Sequence, residues 1–272
     1  MLSNKIVIVT GASSGIGKAI VEEALNNGCK VAACGRSLAR LKSAFPNEIS
    51  ELLLVEADVS KEVECNNLVE KAIAKWGGVD ILINNAGVSM RALFENVDLS
   101  VIRELMDINF WGAVYCTKAA LPSIRVRKGV VAGISSIAGY RGLPARTGYS
   151  ASKAALQGFL EALRTELLGT GATALWISPG FTSSNIRNTA RSADGKAQAE
   201  TPLNESKLMS AEACAKCIMS AIEKRRRATV LTGQGKLTVW LNKLLPGLAD
   251  KLVYRHFLKE PNSPLQGYGP NL

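Results

Sequence analysis

Short β-branched runs alternate along the chain with longer segments whose apolar residues recur every three to four positions. IVIVT (6–10), VAAC (31–34), LLLVEA (52–57), ILINN (81–85), VVAGIS (130–135), ALWIS (174–178) and TVLTG (229–233) predict about seven strands. Between most of them the spacing predicts helices, including 15–27, 61–76, 100–121 and 149–168. The strands are almost continuously apolar, so both faces of their sheet must be covered. That pattern predicts an α/β fold: a single Rossmann-type, doubly wound parallel sheet with helices on both faces. Ligands of such sheets bind beyond the carboxyl ends of the strands.

The last strand is followed by GKLTVWLNKLLPGLADKLVYRHFLK, where Leu237, Trp240, Leu241, Leu244, Leu245, Leu248, Leu252 and Val253 recur at helical spacing between basic residues. Pro246 should break this segment into two helices. We read residues 1–235 as the nucleotide-binding domain and 236–272 as an amphipathic helical extension packed on it. A flap over the substrate pocket, an oligomer face and a membrane-surface helix are the readings open for the extension. The polar stretch 182–207, within a substrate loop at 181–210, predicts a mobile lid, with passive disorder as the rival reading. No repeat or linker divides the chain further.

Of 272 residues, 47% are hydrophobic, enough for a sizeable core. The net charge of +10 favours anionic partners. No stretch approaches the length of a membrane span, and the first strand starts too early for a signal peptide to precede it. Six cysteines without framework spacing suit a reducing compartment, so the expected location is cytoplasmic. Cys214 and Cys217 have only His256 as an imidazole companion, so no metal site is expected. No nucleic-acid-reading motif is present, and no nucleic acid is expected as a partner.

The first strand ends in TGASSGIG, with Gly11, Gly15 and Gly17 opening the first helix, and with Ser13, Ser14 and Ile16 between them. Glycines permit a tight turn and close backbone approach, while a helix N-terminus offers unpaired N–H groups to a pyrophosphate. An acidic residue at the end of the second strand would accept from the ribose hydroxyls of NAD. Here Arg36 and Ser37 stand there and suit a 2′-phosphate, which points to NADP(H).

YSASK places Tyr149 four residues before Lys153 on one helix face, near the helix start. The helix N-terminus and the ammonium should both favour the tyrosinate, which makes Tyr149 a candidate general acid and base. With His256 alone in a basic tail, a Ser-His-Asp system is not expected.

TGASSGIG, ADV at 57–59, NNAG at 84–87, Asn109 in MDINFWG, Ser136 in ISSIAG, YSASK and PG at 179–180 occur in order. In these motifs the sequence resembles the short-chain dehydrogenase/reductase family over residues 5 to about 232. The tail and LPARTGYSASKAALQGF resemble its hydroxysteroid-dehydrogenase-like and lipid-reductase-like branch. The resemblance implies that Tyr149 donates a proton to a carbonyl oxygen held by Ser136. Lys153 would bind the nicotinamide ribose and lower the tyrosine pKa, and Asn109 would hold a water in the relay. Asp58 and Val59 would meet the adenine, and Asn85, Ala86 and Gly87 the ribose. Pro179, Gly180, Thr182 and Ser184 would position the nicotinamide, although PGFTSSNIR departs from the usual aliphatic residue and threonine after PG.

The residues closest in sequence to these motifs are Met90, Ile137, Ala138, Tyr140, Leu143, Arg146 and Phe181. They suit a hydrophobic ketone or secondary alcohol with a polar or anionic end. The expected function is therefore NADP(H)-dependent hydride transfer. A cofactor-binding regulator, or a membrane-surface lipid binder with little turnover, is the alternative. By resemblance, a homodimer or homotetramer is expected.

Overall fold

The computed structural model describes residues 2–180, 182, 186–198 and 208–267. In chain order its elements are β1 (Ile6–Thr10), α1 (Gly15–Asn26), β2 (Lys30–Gly35), α2 (Leu38–Ala44), β3 (Leu52–Glu56), α3 (Glu62–Trp76), β4 (Ile81–Asn84) and α4 (Leu99–Met106). Then follow α5 (Gly112–Val126), β5 (Val130–Ile134), α6 (Thr147–Glu166), β6 (Thr173–Ser178), α7 (Ala211–Glu223), β7 (Ala228–Val230), α8 (Gly233–Leu244) and α9 (Pro246–Leu258). The seven strands form one sheet in the order β3-β2-β1-β4-β5-β6-β7. Every pairing is parallel, as expected.

Alternate residues of each strand point to opposite faces, and both sets are apolar. Ile8, Ala32, Cys34, Leu82, Val131 and Trp176 pack under Leu68 of α3, Cys116 and Ala120 of α5, and Leu156 and Leu160 of α6. Val7, Val9, Val31, Ile83, Ala132 and Ile177 pack under Ile20 of α1, Leu41 of α2, and Ile218 and Met219 of α7. The chain reverses direction across the sheet between β1 and β4. A crevice opens there at the carboxyl ends, where this topology places ligands.

Two differences from the sequence reading bear on the site. The helix predicted over 100–121 is divided: a π-helical turn, Asp107–Trp111, separates α4 from α5. Asn109 lies in that turn, with its side chain bonded to Val88. π-turns of this kind are often found at functional positions. The helix also runs past Pro122 to Val126. At the other end of the sheet, the run read as strand to residue 233 stops at Val230. The Thr232 hydroxyl there accepts from the Gly235 N–H at 3.1 Å and caps α8. Pro246 opens α9, so the tail forms two helices as its pattern predicts. No described helix is long and apolar enough to cross a membrane.

Candidate active site

The crevice begins at the β1–α1 turn. Gly11 and Gly15 take positive φ angles of 67° and 52°. A Cβ on Gly17 would lie 2.1 Å from the Gly11 carbonyl oxygen, so the helix can approach the turn only without a side chain. The turn is braced from β4. The Asn85 side-chain amide donates to the Thr10 and Gly11 carbonyls at 2.9 and 3.2 Å, and the Thr10 hydroxyl accepts from the Asn85 and Ala86 N–H groups. Asn85 thus positions the loop as well as lining the crevice. The first turn of α1 carries no acidic side chain, which leaves its N–H groups favourable to a phosphate.

The crevice, about 500 Å³, is lined by Gly11, Ser13, Ser14, Gly15, Ile16 and Gly17, and farther along by Arg36, Asp58 and Val59. Ala86, Gly87, Ser136, Tyr149, Lys153, Pro179, Gly180 and Thr182 complete the set that the sequence pointed to. Ser37 is not among the lining residues. Its hydroxyl accepts from the Arg40 N–H at 3.3 Å and caps α2. Arg40 lines the crevice beside Arg36 instead. Arg40 lies in the first turn of α2, four residues beyond Arg36. Ser184 and Phe181 lie outside the described residues, as does much of the predicted lid.

Tyr149 and Lys153 project from the first turns of α6 into the middle of the crevice. Lys153 is buried, gives its ammonium to the Ile134 carbonyl at 2.9 Å, and has its pKa lowered to about 8 by that burial. The Tyr149 phenol is pushed above its ordinary value. Burial is the main cause, and a hydrogen bond with Ser136 and the charges of Arg146 and Arg187 pull it partly back. The expected lowering by Lys153 is therefore reversed, because the ammonium is itself desolvated and sits 5.9 Å from the ring centre. Ser136 caps a 3₁₀ turn, and Gln157 holds its carbonyl at 3.3 Å while donating to Ser135 Oγ at 2.9 Å.

Asn109 lies behind the crevice. Its amide nitrogen donates to the Val88 carbonyl and to Ser152 Oγ, both at 2.9 Å, and its side-chain oxygen accepts from the Val88 N–H at 2.8 Å. Ser152 in turn donates to the Tyr149 carbonyl at 2.8 Å. The Asn109 side chain thus ties the π-turn to α6. A Cβ on Gly87 would fall 3.2 Å from Asn109 Oδ1 and 3.3 Å from Lys153 Nζ, so this corner is shaped around a missing side chain.

A second cavity of about 310 Å³ adjoins the crevice and shares Ser136, Leu143, Pro179, Gly180 and Phe257 with it. Its remaining wall is mainly α8 and α9, including Leu241, Leu252, Val253 and His256, with Ile137 opposite. The tail is brought there by close backbone contact. A Cβ on Gly180 would lie 2.2 Å from Thr232 Oγ1, and one on Gly235 2.4 Å from Ile137 Cδ1. Of the residues expected near substrate, Ile137, Leu143 and Arg146 line one cavity or the other. Met90 and Ala138 are buried in packing, and the Tyr140 hydroxyl accepts from Trp176 Nε1 at 2.8 Å. Among the described residues, no three His, Cys, Asp or Glu side chains are grouped to hold a metal.

The short chain dehydrogenase family model matches residues 5–195. A Dictyostelium discoideum dehydrogenase/reductase SDR family protein 7-like is 33% identical, covering 93% of this chain and 81% of the relative. Mouse dehydrogenase/reductase SDR family member 7B is 32% identical over 96% and 84%, and Arabidopsis thaliana 11-beta-hydroxysteroid dehydrogenase 1A is 33% identical over 93% and 76%. Among solved structures, a Burkholderia phymatum short-chain dehydrogenase in complex with NAD superposes with a TM-score of 0.80 at 22% identity, covering 91% of this chain and 95% of that one. A Burkholderia cenocepacia enzyme in complex with NADP gives 0.79 at 21% identity over 93% and 98%.

Proposed function

Because the chain belongs to the short-chain dehydrogenase/reductase family of oxidoreductases, we propose that it transfers hydride between NADP(H) and a hydrophobic ketone or secondary alcohol. The observation that carries this reading is the meeting of Ser136, Tyr149 and Lys153 where the glycine-lined crevice joins the apolar chamber. The glycine cradle fits a dinucleotide. Gly11 and Gly17 let the turn, the start of α1 and the Asn85–Ala86 segment pack closely at the crevice, and Arg36 and Arg40 supply guanidinium groups suited to a 2′-phosphate. When bound, the nicotinamide supplies the hydride.

The chain's own residues supply the rest. Ser136 holds the carbonyl oxygen and Tyr149 gives it a proton in reduction, or takes one in oxidation. Lys153 orients the ribose and stabilises negative charge as it develops on the phenol oxygen. Asn109 keeps the start of α6 in register through Ser152. The apolar wall of α8 and α9 excludes water from the substrate body.

The test is a panel of sterol ketones, acyl ketones, quinones and sugars assayed by loss of NADPH absorbance, with Tyr149→Phe as blank. Turnover of apolar ketones by the parent, and at least about 1,000-fold less by the variant, is expected. Equal rates for the two proteins would reject Tyr149 as the proton donor.

A further inference from the structure

Three segments far apart in sequence converge beside Tyr149. Arg91 follows β4, Arg146 immediately precedes α6, and Glu260 follows α9. Glu260 lies 3.6 Å from Arg91 and 3.3 Å from Arg146, and all three side chains are at least four-fifths buried. Arg146 is also stacked over the Phe257 ring at 4.7 Å, and Arg91 donates to the Pro261 carbonyl at 2.6 Å. Arg91 Nε is buried without a hydrogen-bond partner. Arg146, Glu260 and Phe257 all line the crevice.

Among the described residues, the charges of this cluster do not balance. Two guanidinium groups, those of Arg91 and Arg146, share one carboxylate. Arg191, which also lines this wall, is paired with Glu104 at 2.9 Å. Glu260 and Asp58 are the carboxylates among the described lining residues, and Asp58 belongs to the opposite end, beside Val59. A buried cation without its counter-charge is costly, and a ligand that brings an anion removes the cost. The cofactor's phosphates belong at the glycine turn and at Arg36, so they leave this end uncompensated.

Resting on the oxidoreductase reading, we propose that the substrate is an amphiphile. Its apolar body fills the chamber under α8 and α9, and a carboxylate or phosphate group on it is held by Arg146 within the Arg91–Glu260–Arg146 cluster.

The experiment is calorimetric titration of the full chain, saturated with NADP⁺, using decanoate, decyl phosphate and decanol. At least one anion should bind ten-fold or more tighter than decanol. Arg146→Met should reduce that advantage to about two-fold or less, and Arg146→Lys should restore part of it. Glu260→Gln, which removes the competing carboxylate, should tighten anion binding several-fold and serves should Arg146→Met not fold. Equal affinity of the parent for all three probes would overturn the proposal. So would an anion preference that survives Arg146→Met, since it would then reflect the general charge of the chain, or a loss of that preference in Glu260→Gln. The parent reading is tested separately with 3-oxodecanoate and its methyl ester. Anion binding without NADPH-dependent reduction of either leaves the site standing and rejects the oxidoreductase. Reduction of both at equal efficiency does the reverse.

Discussion

Lys153 and Ile134 are joined by a 2.9 Å hydrogen bond from the buried ammonium to the last carbonyl of β5, and that single bond replaces water around the charge. It does so incompletely, since burial lowers the lysine pKa from 10.5 to about 8. The folded value lies below the unfolded one, so the charged form is disfavoured by folding. The cost is fully present below about pH 8 and fades as pH rises toward 10.5. Lys153→Met should therefore be inactive yet more stable at pH 7, by about 2 kcal/mol or a Tm gain of several degrees. The gain should shrink by pH 10. Calorimetric melts at the two pH values check this, and a lower Tm for the variant at pH 7 would refute it.

The phenol titrates in the opposite sense to the one its neighbour suggests. Burial raises its pKa, and the Ser136 hydroxyl together with Arg146 and Arg187 offsets part of the rise. Reduction needs the protonated phenol, so its kcat/KM should be flat from pH 6 to about 8 and decline as Lys153 loses its proton. Oxidation needs the phenolate and should rise with pH through that range. Ser136→Ala removes the first-named pull on the phenol, so the oxidation limb should move to higher pH. The rate should also fall about 100-fold with the loss of a donor to the carbonyl oxygen. Rate profiles in both directions decide it; an unmoved limb in Ser136→Ala would count against the hydrogen bond.

At the other end of the crevice, Arg36 and Arg40 are both exposed and both line the wall where β2 gives way to α2. Two guanidinium groups can each make charge-assisted bonds to a phosphate. The Arg36→Ala/Arg40→Ala protein should lose about 100-fold or more of its preference for NADPH over NADH while keeping its NADH affinity. Ser37→Ala should leave the preference alone and cost about 1 kcal/mol of stability through its lost cap. Fluorescence titration with the two dinucleotides separates these outcomes. A parent with equal affinities would remove the argument.

The contrast between Arg36 and Ser37 shows what local sequence can reveal. The strands, the glycine turn and the Tyr149–Lys153 pair are set by spacings of a few residues, so the pattern displayed them directly. Ser37 stood at the right place, but its hydroxyl was taken by the helix it begins. The direction of the Tyr149 shift depended on burial by segments distant in the chain, which no i, i+4 rule contains. Glu260 reaches Arg146 across 114 residues, and the Asn109 side chain is committed to Val88 and Ser152 through a π-turn that helical periodicity does not mark. Met90 and Tyr140 are near the motifs in sequence, yet one is in the core and the other is bonded to Trp176.

The tail pattern was amphipathic in sequence, and the structure gives it work on two sides. Leu241, Val253, Phe257 and the half-exposed Leu252 line the chamber beside Ser136, whereas Trp240, Leu244, Leu245 and Leu248 are exposed and line neither cavity. Because the chamber's wall is shared between the Ser136–Ile137 loop and the tail, filling it from the tail side should act on the substrate without reaching the dinucleotide. Leu241→Trp should raise KM for long-chain ketones about ten-fold or more, roughly the loss of one well-packed apolar contact. Its NADPH affinity should match the parent, because Leu241 lines the chamber and is absent from the crevice wall. Steady-state kinetics on a chain-length series, with dinucleotide titration beside it, checks both halves. An unchanged KM across the series would mean that the chamber does not hold the substrate's apolar body, while a parallel loss of NADPH affinity would mean that α8 supports the crevice itself.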